Sequence, residues 1–319
     1  MTHCGGFRFL NIDLQIRTDS EELLHFFQDS YQRFRSTASV EHEFSARMQQ
    51  NGSPWRGIFH TKKQEYGVLK TGRGFVFSCK DIDTGIEKLT LFRNGRQQPI
   101  SRADALRNAD LSRTAEDREH LFSFAQMSLL NTLAGLLPEY HLFHGAALTR
   151  NDRGLILAGA AGQGKSSLSL GLVKHGCKFL SDDIACVNPI GNQLIPFPRK
   201  LNFRRRGIPI LRNLMNERVI NPGPVDMEEI IPGGSGDKAP LHSLFLLRGI
   251  AQQAAIQPIP HRQALLEALR LSHTPVQQPT QTIFRLAPLF SRMRCYELFA
   301  GDLDATAALI CKQMETDAD

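Results

Sequence analysis

Residues 159–167 read GAAGQGKSS, and seventeen positions after the lysine two acids stand side by side in FLSDDIA (179–185). Gly159, Gly164, Lys165 and Ser166 fit the spacing G-x-x-x-x-G-K-[ST]. Glycines in such a loop let backbone N–H groups close around phosphate oxygens where a Cβ would stand in the way. GLILAG (154–159) predicts a strand entering the loop, and KSSLSLGLVKHG (165–176) predicts a helix leaving it with its positive end on the same spot. The candidate phosphate contacts are Gly159, Ala160, Ala161, Gly162, Gln163, Gly164, Lys165, Ser166 and Ser167. Lys165 is expected on the β and γ phosphates of ATP and the Ser166 hydroxyl on Mg2+.

The helix is expected to end at His175-Gly176, and CKFLSDDIACV (177–187) to form an apolar strand that bends at the acid pair. A strand–loop–helix–strand unit this tight places the second strand parallel to the first in one sheet. The carboxyl ends of both strands then open onto the crevice where α/β sheets bind ligands. Side chains alternate along a strand, so Asp182 and Asp183 are expected to take different parts. One holds magnesium, directly or through water, and the other faces whatever approaches the γ phosphate. A carboxylate placed there orients a hydroxyl and accepts its proton, and the like charge beside it separates the two pKa values. The alternative is a solvated acid pair at a strand end, with the metal acid elsewhere. His144 lies 21 positions before Lys165 in HGAAL. If strands 143–150 and 154–159 form a hairpin about Asn151-Asp152, His144 falls at the end where the glycine loop opens. A structural histidine is the competing reading.

The other segments divide into two textures. In the first, residues 7–18 alternate apolar and polar like a strand, 20–34 run at helical period behind a Ser cap, 36–64 are polar without clear period, and 66–82 and 87–92 read as three strands. Residues 1–111 are therefore expected to form a small α+β module. A helix over 115–135 opens the second, where short apolar strands alternate with helices: strands at 192–198, 241–250 and 295–304, helices at 262–272 and 304–314, and Pro/Gly-rich loops over 221–240. This alternation predicts a largely parallel or mixed sheet with helices on its faces over 112–319.

Composition narrows the partners. The 319 residues are 41% apolar and 22% charged, with net charge +6 and a pI of about 9.1. The basic residues are dispersed except for Arg204, Arg205 and Arg206, and no basic stripe interleaved with aromatics appears, so nucleic acid is not the expected partner. The six cysteines (4, 79, 177, 186, 295 and 311) show no CxxC spacing; reduced thiols in a cytoplasmic protein are expected rather than a zinc site or disulfide framework. The N-terminus MTHCGGFRFLNIDL does not read as a signal peptide, and no apolar run approaches the ~20 residues of a membrane span.

HGAAL, LILAGAAGQGKSSLSLGLVKHG and KFLSDDIACV, in that order, resemble the HPr kinase/phosphorylase family. With the related phosphoenolpyruvate carboxykinases, that family has a phosphate-loop core with an early acid pair. The resemblance covers roughly 112–319. It implies Asp182 as general base assisted by His144, Lys165 on the β and γ phosphates, and Ser166 and Asp183 at the metal. LNFRRRGI (201–208) occupies the place of the family's LEIRGLGI, with Asn202 where the family carries a metal-holding Glu. Asn is a poorer magnesium ligand, which weakens the expectation of phosphorolysis. Arg204–Arg206 are candidates to clamp phosphate or an acidic substrate, against a solvated basic loop. GGSGDK (233–238) stands where the family has a mobile loop, making Lys238 a candidate phosphate contact. The family often assembles into rings, so a homo-oligomer is an open expectation.

Together these features predict an ATP- and magnesium-dependent kinase acting on a hydroxyl, foremost a serine of a protein or peptide chosen by the N-terminal module and the loops around 205–240. A nucleotide-binding switch or ATPase without acceptor, and a kinase for a small molecule such as free serine, are the alternatives.

Overall fold

The computed structural model of the chain describes residues 2–38, 41–48, 55–93, 96–110, 115–160, 162–203, 223–272 and 279–317. Contacts divide it into two units, Met1–Leu136 and Leu137–Asp319.

The first unit is an eight-stranded sheet with strands in chain order. β1 (His3–Phe9) and β2 (Ile12–Thr18) form a tight hairpin in which Leu10 takes φ 56, so the segment expected as one strand is two. α1 (Glu21–Ser30) starts where Ser20 Oγ accepts from Leu23 N at 3.2 Å, with Glu21 and Glu22 in the first turn; that cap and those charges satisfy and complement the helix N-terminus. Leu23, Leu24 and Phe27 recur on one face and are buried. β3 (His42–Met48) and β4 (Trp55–His60) lie in the stretch that shows no clear period in the sequence. β5 (Gln64–Thr71), β6 (Gly74–Asp81) and β7 (Glu87–Arg93) are the three expected strands. β8 (Arg96–Pro99) completes the sheet; the Asn94-Gly95 turn before it lies outside the described residues. α2 (Arg102–Arg107) follows, and α3 (Ala115–Leu136) packs against β3, β4 and β5. Because its partners are in this sheet, α3 belongs with the first unit, whereas the sequence reading assigns it to the second.

The second unit is built on a mixed nine-stranded sheet. β9 (His141–Phe143) and β10 (Gly145–Arg150) lead into β11 (Arg153–Gly159). β10 and β11 pair antiparallel through Arg150↔Arg153, and Asn151 and Asp152 at φ 48 and 59 make the two-residue turn that Asn and Asp tolerate. α4 (Lys165–Lys174) and β12 (Lys178–Ser181) follow, then β13 (Ala185–Asn188) and β14 (Gln193–Ile195). β15 (Leu201–Phe203) pairs with β16 (Gly223–Val225) apart from the main sheet. α5 (Met227–Ile230) precedes the long β17 (Ala239–Ile250), and β18 (Ala255–Pro258), α6 (His261–Arg270), α7 (Pro279–Phe290), β19 (Arg294–Ala300) and α8 (Leu303–Thr316) close the chain.

β17 lies between β11 and β19, parallel to both. Side chains alternate across it: Phe245 and Leu247 pack with Leu168, Leu172, Ile310 and Met314 from α4 and α8, while Leu244 and Leu246 pack with Leu265, Ala268, Leu286 and Leu289 from α6 and α7. The sheet is thus covered on both faces, as the expected strand–helix alternation requires. Phe245 is fully buried and stacks on Tyr296 at 5.2 Å between ring centroids. Truncation to alanine removes the ring and leaves a cavity, so Phe245→Ala is expected to lose about 3–5 kcal/mol of unfolding free energy, read by urea titration of this unit.

β12 runs parallel to β11 but does not touch it. β10 lies between them, antiparallel to each. The crossover through α4 therefore spans one strand, and the carboxyl ends of β11 and β12 lie at the same end of the sheet as the start of β10.

Candidate active site

Three strands and one helix end supply the site. β11 ends at Gly159 and α4 begins at Lys165, with Gly164 at φ 93 as its N-cap. This conformation is open to glycine and costly for residues with a Cβ. At Gly159 a Cβ would stand 2.9 Å from the Leu247 carbonyl oxygen and 2.5 Å from Gln163 Oε1. The glutamine tip can swing away, but the β17 backbone cannot without disturbing the sheet. Gly159→Ala is expected to lose about 1–3 kcal/mol of stability and to weaken nucleotide binding, checked by urea unfolding and by calorimetric titration with ATP.

Lys165 is buried, and its ammonium donates to Gly159 O (2.9 Å) and Ala160 O (3.2 Å) and meets His144 Nε2 at 3.2 Å. His144 thus reaches the loop, as the hairpin reading expects. Its backbone N–H donates to Leu271 O at 2.6 Å, which fixes the start of β10. Burial first, and the Lys165 charge second, hold the imidazole below its usual pKa, against the pull of the Asp183 carboxylate. A neutral imidazole accepts from Lys165 at Nε2. Gln163 Oε1 accepts from Ala160 N at 2.8 Å, and its Nε2 donates to the Arg248 carbonyl at 3.4 Å; the glutamine therefore covers one of the loop's amides. Ala161 lies outside the described residues.

The acid pair breaks the expected strand: β12 stops at Ser181, and Asp183 sits at φ 63 before β13 resumes. The two carboxylates take different surroundings, through this kink rather than through alternation along a strand. Asp182 is 1% exposed, and its Oδ2 accepts from Ser166 Oγ at 2.7 Å. Its Oδ1 is buried with no hydrogen-bond partner among the described residues. Burial foremost, then the neighbouring Asp183 charge, push its pKa up to about 7, against Ser166, Arg199 and Lys165. Asp183 is more open, with its side chain 38% exposed and Oδ2 4.0 Å from Arg199 Nη1.

Arg199 is a site residue that sequence reasoning passes over. It is buried, yet in the sequence it is one of two adjacent basic residues, Arg199-Lys200, in a Pro-rich connection, and only the return of the chain from β14 brings it to Asp183. Two other expectations fall differently. Asn202 lies on β15 opposite Pro224, but its side chain lies outside the described residues, as do Arg204, Arg205 and Arg206. GGSGDK is pinned along β12: Phe179 N donates to Gly234 O (2.7 Å), Gly236 N donates to Phe179 O (2.9 Å), and Glu228 accepts from Gly233 N and Ser235 N. Lys238 then precedes β17 at the end where Leu241 faces Gly154, whereas the loop leaves at the other end, where Leu247 faces Gly159. Five residues of strand, roughly 17 Å, separate the two levels. Lys238 is therefore no phosphate contact, because the pairing register puts it at the wrong end of the sheet.

The oxygen atoms present suit magnesium. Ser166 Oγ and the two carboxylates are hard donors, and the buried, unpartnered Oδ1 of Asp182 lacks a counterpart that a cation shell or an acceptor hydroxyl would provide. Magnesium keeps several waters in its octahedral shell, so few protein oxygens suffice to hold it.

No family model matches the chain. The likeness that the comparisons find is to kinases of the HPr type. The HPr kinase/phosphorylase of Lactobacillus acidophilus (strain ATCC 700396 / NCK56 / N2 / NCFM) is 31% identical over 86 residues, 27% of this chain and 26% of that protein. The chain thus spans about a quarter of the length of the curated relative it matches. Among solved structures, the Hpr(Ser) kinase/phosphatase from Coxiella burnetii aligns over 56% of this chain and 99% of that one at 14% identity with a TM-score of 0.30, too low for residue-by-residue correspondence. The resemblance to the HPr kinase family is borne out at this level, as a likeness over 86 residues.

Proposed function

We propose that the second unit is an ATP- and magnesium-dependent phosphate-loop kinase of the HPr kinase-like type, which transfers the γ-phosphoryl group to a hydroxyl, foremost a serine of a protein or peptide. The observation that carries the reading is the meeting of Lys165, Ser166, His144 and Asp182 at one strand end, with Ser166 Oγ 2.7 Å from Asp182. The loop amides and the α4 N-terminus would hold the phosphates. Lys165, released from Gly159 O and Ala160 O, would neutralise charge on the β and γ phosphates. Magnesium, held by Ser166 and Asp183 with Asn202 as a further candidate, would offset charge on the transferring group. Asp182 would accept the proton of the attacking hydroxyl, and a carboxyl poised near neutral pH suits that task. His144, neutral and against Lys165, would orient the lysine beside the base. The N-terminal unit would select the acceptor, and reduced thiols fit work in the cytoplasm.

The test uses purified full-length protein, ATP labelled on the γ phosphate, magnesium, and extract of the source cells freed of kinase activity. Label on a protein or a small molecule that requires Lys165 and Asp182 supports the reading and names the acceptor class. Label released only as inorganic phosphate would replace it with that of an ATPase or switch.

A further inference from the structure

We propose that Cys177 and Cys311 form a modification site that hydroperoxides oxidise to an intrachain disulfide beneath the helix following the glycine loop. It is separate from phosphate chemistry and does not depend on the kinase reading. The two sulfurs lie 3.9 Å apart, although the residues are 134 positions apart in sequence. Cys177 follows Gly176, whose φ of 91 ends α4, and leads into β12. Cys311 lies on α8, which packs along α4. Both thiols belong to one buried cluster with Leu170, Leu172 and Ile310. A disulfide has S–S of about 2.05 Å, so the sulfurs close by roughly 2 Å, within reach of side-chain rotation and a small helix shift.

Arg150 brackets the pair. Its Nη1 donates to His175 O at 2.7 Å and its Nη2 to Glu315 Oε1 at 2.6 Å, which ties the end of α4 to α8 across the two thiols. A thiolate is the species that oxidants attack, and neighbouring cations favour it. The hydrogen bond between the two sulfurs, with the Arg150 charge, favours a thiolate on one of the pair, against burial. Cys311 is the more exposed of the two, 5% against 1%, which makes it the sulfur an oxidant reaches first and Cys177 the resolving one. Among the described residues no other two thiols are in contact, so Cys186 and Cys295, also buried, serve as internal controls.

The steps balance. The Cys311 thiolate attacks one peroxide oxygen, the O–O bond breaks, and sulfenic acid and hydroxide form. Cys177 sulfur then attacks the Cys311 sulfur, the S–O bond breaks, and the leaving hydroxide takes the Cys177 proton as water. Two thiols and one H2O2 give one disulfide and two waters.

The experiment treats the reduced full-length protein in native buffer with stoichiometric H2O2, alkylates the remaining thiols, and maps peptides by mass spectrometry. The expected result is a mass loss of about 2 Da before alkylation, a linked Cys177–Cys311 peptide, and a rise in Tm of several degrees, about what closing a long loop provides. In Cys177→Ser the Cys311 sulfenic acid should persist and be trapped by dimedone, whereas Cys186→Ser should link as the wild type does. Two results would overturn the proposal: both thiols still alkylatable after Cys4 is fully oxidised, or a linked peptide that forms only in urea.

Discussion

Asp182→Asn is expected to lower phosphoryl transfer about a thousandfold, the scale of losing a general base, while making the metal-free protein more stable at alkaline pH. The two effects share one cause. The carboxyl of Asp182 is buried beside a second carboxylate, and its pKa is pushed up to about 7 from an ordinary 3.8. A carboxyl with a raised folded-state pKa binds its proton more tightly in the folded than in the unfolded chain. Its contribution is therefore fully present below pH 4 and is lost as pH rises towards 7. Wild type with chelator and no nucleotide should lose stability between pH 4 and 7 relative to the variant, which keeps an oxygen acceptor for Ser166 and no charge. Urea titrations at pH 5 and pH 8 read the difference. The reading of Asp182 as a buried charged carboxylate would be overturned by equal stability of the two proteins at pH 8. A variant that transfers phosphate at the wild-type rate would remove Asp182 from the chemistry altogether.

The second large effect is expected at Lys165. Lys165→Ala should also reduce transfer about a thousandfold, because one preorganised donor on developing charge is worth about 3–4 kcal/mol. The structure adds a signature. The ammonium lies against His144 Nε2 and helps hold that imidazole below its usual pKa, second to burial. Removing it should move the His144 titration upward, visible in the imidazole proton resonances of the nucleotide-free protein. Loss of transfer together with an unmoved histidine would place the lysine elsewhere in solution. The substitution also leaves Gly159 O and Ala160 O without their donor, so the loop should loosen and amide exchange over 159–164 should quicken.

Much of this site was legible because its signals are local. The glycine spacing, the helix stop at Gly176 and the turn at Asn151-Asp152 are short-range instructions, and the hairpin they imply puts His144 at the loop. The acid pair's different surroundings come from the left-handed kink at Asp183, which the alternation argument does not foresee. What sequence reasoning passed over depends on distant pairing. β10 inserts between β11 and β12 because it bonds to both, and no local pattern announces a strand with two antiparallel partners. Arg199 meets Asp183 only after the chain has run out through β13 and β14. Lys238 is a candidate only because GGSGDK stands where the family has a mobile loop, and the register of Leu241 on Gly154 puts it at the other end of the sheet. In the first unit, β3 alternates faithfully, with Phe44 and Ala46 fully buried between polar residues. Two apolar positions are too few to stand out from a polar stretch. The β1–β2 turn was missed for the opposite reason, since Leu10-Asn11 carries neither glycine nor proline.

The insertion of β10 also bears on how such a site is inherited. Because the hairpin folds straight back onto the loop strand, His144, Lys165, Ser166, Asp182 and Asp183 all come from a single stretch of forty residues. A site drawn from one short stretch tolerates wide drift in the rest of the chain, since few substitutions elsewhere touch its geometry. It also travels intact when gene segments recombine. Arg199, which stands outside the stretch, is the charged neighbour of the acid pair that such a transfer would leave behind.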